Sequence, residues 1–316
     1  MDTIRKFDKI DRADAGIAGG KGASLGEMAQ AGIPVPPGFV ILANQFEQFI
    51  GETGLAAKIN SIISKVDYDE DGSVQAASEK IKKLILSREI PQTVALAIIK
   101  SFINLHAEFV AVRSSATAED GAEHAWAGQL ETYLNITESD LLAKVKCCWA
   151  SLFTPRAIVY RFRKKLLKTR ISVAVIVQKM IDSVVSGIAF SVHPVTQNPG
   201  QMIIEAGFGL GEAIVSGAIT PDSYIVGKKP LKIADINISE KNKGLYKNSA
   251  GKNEWRAIGK PKASSQALAN EQILELSKIV ISIENHYGFP CDIEWAYAEE
   301  KFYIVQCRPI TTLTKK

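Results

Sequence analysis

Apolar residues recur along this chain at two spacings, and the switch between them divides it. From Val74, the positions Ala77, Ile81, Leu84 and Ile85 keep the three-and-four spacing of one helix face. After Pro91 the spacing returns at Val94, Ile98, Phe102 and Leu105, with the proline read as a first helical residue. A third helical stripe runs through Leu141, Val145, Cys148, Trp149 and Leu152. Thr154-Pro155 then reads as the cap and first position of another helix. Short apolar runs at Phe39 to Leu42 and Val110 to Val112 read as strands among these helices. Past residue 172 strands dominate: Val173 to Val177, Gly187 to Ser191, Met202 to Glu205 and Tyr224 to Val226. One helix interrupts them, with Asn270 as cap, a stripe of Ile273, Leu276, Val280 and Ile283, and Gly288 as its stop. Two alternating segments, Asp292 to Tyr297 and Phe302 to Arg308, follow it.

Composition changes this picture little. Of 316 residues, 46% are hydrophobic and 23% charged, which suits a soluble chain with a sizeable core. The longest apolar runs are far too short to span a bilayer. The first twelve residues lack the apolar stretch of a secretory signal. The four cysteines, Cys147, Cys148, Cys291 and Cys307, form no Cys-x-x-Cys pair, so reduced thiols and a cytoplasmic location are expected. The four histidines show no metal spacing. The net charge of +4 is concentrated: Lys228 to Lys262 holds nine lysines and Arg256 against three acids. Aromatic interleaving there is sparse, so a solvated loop or β-arm is expected rather than a nucleic-acid surface.

Candidate chemistry lies in four places. Gly20-Lys21-Gly22 reads as a glycine-rich loop opening a helix, where backbone N–H groups and a lysine can meet phosphate. The spacing is not that of a P-loop, and a plain turn is the competing reading. Arg113, at a strand end before Ser114 and Ser115, offers a guanidinium fork for an oxyanion, or a structural pair with Glu119 or Asp120. Gly207, Gly209 and Gly211 miss the dinucleotide spacing and suggest a ligand-proximal loop or a tight packing turn. Asp292, Glu294, Gln306 and Arg308 would share one face of a hairpin. A three-residue turn at Glu299 to Lys301 sets Glu294 opposite Gln306 and Asp292 opposite Arg308, whereas a two-residue turn would flip the faces. Carboxylate and amide oxygens suit magnesium, and the arginine suits a phosphate chain. A salt-bridged surface hairpin is the alternative.

Taken in order, these blocks resemble a known family nearly end to end. They comprise Gly19 to Met28, Ile33 to Phe39, Val112 to Asp120, Ala127-Gly128-Gln129 with Thr132 to Asn135, Ser186-Gly187 with Phe190-Ser191, Gly209 to Glu212 with Val215 to Gly217, Thr220-Pro221-Asp222, Asp292 to Ala296 and Gln306 to Pro309. The family is the ATP-binding domain of phosphoenolpyruvate synthase, pyruvate phosphate dikinase and rifampicin phosphotransferase. The resemblance implies an α+β, ATP-grasp fold, with lobes over residues 1–180 and 181–316 and nucleotide held between them. It implies that Lys21 and Arg113 contact phosphates, and that Gly128 and Thr132 lie in a loop closing over the phosphate chain. Gln178 would meet adenine, Glu294 and Gln306 would hold magnesium with Asp292 in support, and Arg308 would clamp the transferring phosphate. It further implies that ATP is cleaved to AMP and phosphate, with the β-phosphoryl passing to a histidine on a swivelling domain and then to pyruvate, an antibiotic or another acceptor. No histidine here has that domain's context, so a phosphohistidine-carrying partner is expected. A non-catalytic ATP-binding regulatory module and the nucleotide half of an antibiotic phosphotransferase are the alternatives.

Overall fold

A computed structural model describes residues 3–117, 131–167, 171–311 and 313. The chain divides into two compact units, Met1–Glu27 with Pro37–Met180, and Met28–Pro36 with Ile181–Lys316.

In the first unit the chain runs β1 (Ile4–Lys6), α1 (Ala15–Gln30, whose last turn belongs to the second unit), β2 (Gly38–Ile41), α2 (Ala43–Glu52), α3 (Leu55–Ile63), α4 (Asp71–Leu86), α5 (Gln92–Asn104), β3 (Val110–Ala116), β4 (Thr132–Ile136), α6 (Glu138–Ala150), α7 (Pro155–Arg163) and β5 (Val173–Lys179). The five strands form one antiparallel sheet in the order β1-β2-β5-β3-β4. Its two faces separate cleanly by alternation. Phe39, Ile41, Val110, Val112, Val173, Val175 and Val177 enter a core with α2 to α6, built around fully buried Trp149, whose ring lies 4.9 Å from Phe49 and 6.1 Å from Phe46. Most of the helical stripes read from sequence are buried, Val74, Ala77, Ile81 and Ile85 on α4 and Val94, Ile98 and Phe102 on α5, while Leu84 and Leu105 are half-buried at their margins. Pro91 lies one position earlier than expected, at the cap of α5. Thr154 caps α7 by accepting from the Ala157 N–H at 3.2 Å.

The second unit contains β6 (Val185–Phe190), β7 (Gln201–Phe208), the single turn α8 (Glu212–Val215), β8 (Asp222–Lys228), β9 (Leu231–Asn237), β10 (Lys243–Lys247), β11 (Asn253–Ala257), α9 (Asn270–Tyr287), β12 (Cys291–Ala298) and β13 (Lys301–Pro309). Six strands form an antiparallel sheet in the order β13-β12-β6-β7-β8-β9. Ile273, Leu276, Val280 and Ile283 of α9 are fully buried with the alternating residues Ala189, Met202, Ile204, Tyr224, Val226 and Ile293 of the sheet. Gly288 ends α9 in the left-handed conformation at φ 72°. Its start differs from expectation. Asn270 is the first helical residue, and the Ala269 N–H is satisfied by the Gln272 side chain at 2.8 Å.

The middle of the lysine-rich segment is a β-arm, whereas its first residues complete β8 and form β9 of the six-stranded sheet. β10 and β11 pair as a separate two-stranded ribbon, stabilised by Lys243 over the Trp255 ring at 4.6 Å. Its base rests on the glycine run. Gly209, at φ 86°, bridges to Leu245, and a side chain there would meet the Leu245 carbonyl at 2.2 Å. Gly209 is therefore required for packing, while Gly207 lies within β7 and a side chain at Gly211 would make only ordinary contacts. Not all of the segment's charge is solvated: Lys241, just before the arm, is 1% exposed and paired with Asp222, which is fully buried.

Among the described residues no helix is long and apolar enough to cross a membrane, and all four cysteines are free.

Candidate functional site

The glycine-rich loop is more helical than its sequence suggests. Residues on both sides of Gly19 are helical, and α1 kinks there at φ 69°, ψ 164°. Only glycine adopts that conformation without strain. The kink creates a second helix start at Gly20-Lys21-Gly22, whose first-turn N–H groups lack carbonyl partners one turn back. This start lies on the sheet face opposite the helical core. A Cβ at Gly19 would stand 2.1 Å from Ser115 Oγ, and one at Gly22 would stand 3.2 Å from Val40. The Lys21 ammonium donates to the Ser114 carbonyl at 3.4 Å.

Arg113 is on the same face. It lies in one cross-strand row with Val40, Ile176 and Thr132, through the pairs Val40↔Ile176, Arg113↔Ile176 and Arg113↔Thr132. Gln178 occupies the next row of that face, between Gly38 and Ala111. Arg113 and Gln178 are 8% and 3% exposed, whereas Thr132 is exposed at the sheet edge. Four sequence candidates, Lys21, Arg113, Thr132 and Gln178, therefore share one face of the first unit, among the apolar Val40, Ile176 and Ala111. Gly128 lies outside the described residues, as do Glu119 and Asp120. Ser114 does not face this site. Its hydroxyl donates to the Glu131 carbonyl and accepts from the Glu131 N–H, each at 2.9 Å.

In the second unit the hairpin pairing is the expected one, reached by another route. The turn has two residues, Glu299 and Glu300, both at positive φ (50° and 58°), with Ala298 paired to Lys301. Two-residue turns of this hand match the twist of the strands they join. Such a turn alone would set Glu294 opposite Val305. A bulge between Glu294 and Trp295 absorbs Val305: Trp295 pairs with Ile304, and Glu294 pairs with Gln306. One extra residue in one strand shifts all that follows by one place. The carboxylate face is thereby restored, while Ile293, Trp295 and Cys307 stay buried on the other.

On that face Gln306 Nε2 donates to Glu294 Oε1 at 3.0 Å. Arg308 donates through Nε at 2.8 Å and through an Nη at 2.7 Å, both to Asp292 Oδ2. Asp292 is largely buried while Arg308 is half exposed, so the guanidinium projects from an anchored carboxylate. The sequence reading missed a third acid. Glu205 on β7 pairs with Ile188, which pairs with Glu294, so Glu205 occupies the same cross-sheet row. Burial, and then the charge of Asp292, push its carboxyl above the ordinary value. The alternation of Ile203 and Glu205 between buried Met202, Ile204 and Ala206 was the signal that could have found it.

These donors fit magnesium. Glu294 supplies a carboxylate and Gln306 an amide carbonyl, both hard oxygen donors, and the two side chains are joined by the Gln306 N–H. Among the described residues no three acids, histidines or cysteines cluster as a metal cage. Magnesium characteristically takes one or two carboxylates and completes its shell with water and substrate phosphates.

Residues 15–316 match the family described as pyruvate phosphate dikinase, AMP/ATP-binding domain. The chain is 45% identical, over its whole length, to a probable phosphoenolpyruvate synthase of Methanocaldococcus jannaschii. It is 40% identical over 99% of its length to the phosphoenolpyruvate synthase of Pyrococcus furiosus, and 38% identical over 98% to the rifampicin phosphotransferase of Bacillus cereus. It spans 27%, 44% and 36% of the length of those three proteins. With a five-stranded and a six-stranded antiparallel sheet and flanking helices, the α+β architecture agrees with that match, and the chain belongs to the pyruvate phosphate dikinase AMP/ATP-binding domain family.

Proposed function

We propose that this chain is the nucleotide-binding part of a dikinase-type phosphotransferase, which cleaves ATP to AMP and phosphate and passes the β-phosphoryl group to a histidine on another domain or partner. The observation that carries the reading is the hairpin Asp292, Glu294, Gln306 and Arg308, with its carboxylate, amide and guanidinium groups paired on one face. Family membership supports ATP as the ligand.

In the first unit Lys21 and Arg113 neutralise phosphate oxygens, Thr132 donates at the edge of the same face, and Gln178 hydrogen-bonds adenine. In the second, Glu294 and Gln306 hold magnesium, which neutralises phosphate charge when bound. Asp292 orients Arg308 by fixing two of its N–H donors, which leaves the rest of the fork for a transferring phosphoryl group. Phosphoryl transfer is accelerated mainly by such alignment and charge neutralisation. The final acceptor is pyruvate or an antibiotic of the rifampicin class, in keeping with the activities named for the relatives.

The test is chromatographic analysis of nucleotides after incubation with magnesium and ATP, with and without the histidine domain of a relative. Formation of AMP, accelerated by that domain and abolished by Glu294→Gln, is the expected outcome. ATP left intact in the presence of the domain would reduce the chain to a binding module.

A further inference from the structure

Ser115 entered the sequence reading only as a hydroxyl following Arg113, with no role of its own, and it is fully buried at the point where the glycine-rich kink meets β3. Its hydroxyl accepts the Gly22 N–H at 3.3 Å. Gly22 is itself buried and lies in the first turn after the kink, where helix N–H groups lack intrahelical acceptors. A serine on a separate strand thus performs the job that an N-cap side chain performs within its own segment. Gly19 allows the contact, because any side chain there would collide with Ser115 Oγ at 2.1 Å and with its carbonyl at 2.5 Å. The residue between these glycines is Lys21. Its ammonium is tied to the carbonyl of Ser114, and the backbone next to it is tied to the hydroxyl of Ser115. Two consecutive residues of β3 therefore grip Lys21 at both ends.

We propose that Ser115 is a positioning residue for Lys21: its hydroxyl caps the second helical segment of α1 and so fixes where the lysine's charge is presented. The proposal rests on the reading of Lys21 as a phosphate contact. Alanine at 115 would leave a buried N–H without its acceptor and free the first turn to shift.

A double-mutant cycle in ATP affinity tests this, because residues acting through one another are not additive. Titration calorimetry with ATP and excess magnesium is applied to the wild type, Ser115→Ala, Lys21→Ala and the double variant. Ser115→Ala is expected to weaken binding about fivefold beside Lys21, the equivalent of one lost cap, and by less than about twofold in the Lys21→Ala background. Ser115→Cys, which keeps the volume but supplies a poor acceptor, should repeat the effect and carries the test should the alanine variant fail to fold. Equal weakening in both backgrounds, or none beside Lys21, would overturn the proposal while leaving the phosphate role of Lys21 intact. An unchanged affinity in Lys21→Ala alone would overturn that role, and the proposal with it.

Discussion

Replacing Lys241 by methionine should destabilise the second unit far more than removal of any other lysine of the basic segment. Both side chains of the Lys241–Asp222 pair are 0% exposed. The Asp222 carboxylate also accepts from Ser239 N at 3.0 Å, Ala267 N at 2.8 Å and the Tyr224 hydroxyl at 3.0 Å. Lys241 donates in addition to the Ser239 carbonyl at 2.8 Å. Breaking a buried pair by removing one partner costs about 3–5 kcal/mol, because the other charge stays buried. Lys241→Met leaves the carboxylate three neutral donors and should cost about 3 kcal/mol, the low end of that range. Asp222→Asn leaves an ammonium with little more than one carbonyl and should approach about 5 kcal/mol. The double variant buries no charge and should cost less than the two single changes together. Native-state amide exchange in β8 reads this unit alone, and a loss of about 3 kcal/mol appears there as exchange faster by more than a hundredfold. Single-variant losses below about 1 kcal/mol, or a double variant equal to the sum, would refute the reasoning.

Four further outcomes follow from the same coordinates. Gly19→Ala should weaken ATP binding and lower stability by about 2 kcal/mol or more, since it combines a positive φ with a clash on Ser115; normal thermal stability would contradict the kink. Asp292→Asn should change stability by less than about 1 kcal/mol, because Arg308 is half exposed, and should slow AMP formation at unchanged fold, which separates a functional pair from a structural one. Burial, and then the charge of Asp222, raise the Tyr224 phenol, so its protonated form supports the fold fully below about pH 10 and the support fades as pH climbs toward the folded value; Tyr224→Phe should flatten the alkaline limb of a stability–pH curve. Thiol labelling of the native chain should be fast at Cys147 alone, because Cys148, Cys291 and Cys307 are buried and burial pushes the Cys148 thiol up; fast labelling of a second cysteine would contradict the packing of α6 or the β12–β13 hairpin.

The parts legible in the sequence were those where one local rule settles the matter. The stripe of α9 and its Gly288 stop, Thr154 before Pro155, and the stripes of α4 and α5 each repeat a pattern that any helix imposes. Features that depend on a second segment were not legible. Nothing near Lys241 distinguishes it from its eight neighbouring lysines, and its burial follows from Asp222, nineteen residues away. The kink at Gly19 resembles an ordinary glycine loop until Ser115 is brought against it. The arm's pairing on Gly209 likewise joins segments more than thirty residues apart.

The hairpin shows how a correct pairing can arise from the wrong turn. Side-chain chemistry demanded Glu294 opposite Gln306, and a three-residue turn was the simplest way to supply it. The chain instead uses the tighter turn favoured by strand twist, even though Glu299 and Glu300 must then adopt left-handed φ, and it corrects the register at Val305. A regular hairpin with this turn would set Val305 opposite Glu294 and turn Gln306 to the other face. The bulge falls beside Glu294 and Gln306, where bulges re-aim side chains toward functional sites. The Arg308–Asp292 pair is the bond a structural hairpin would also make, so the functional assay of Asp292→Asn is what separates the two readings. Gln306 to Glu294 and Arg308 to Asp292 hold four side chains on one face, as the proposed magnesium and phosphate contacts require. Under the proposed function, the same bonds that stabilise the hairpin would lessen the ordering cost of binding metal and phosphate there.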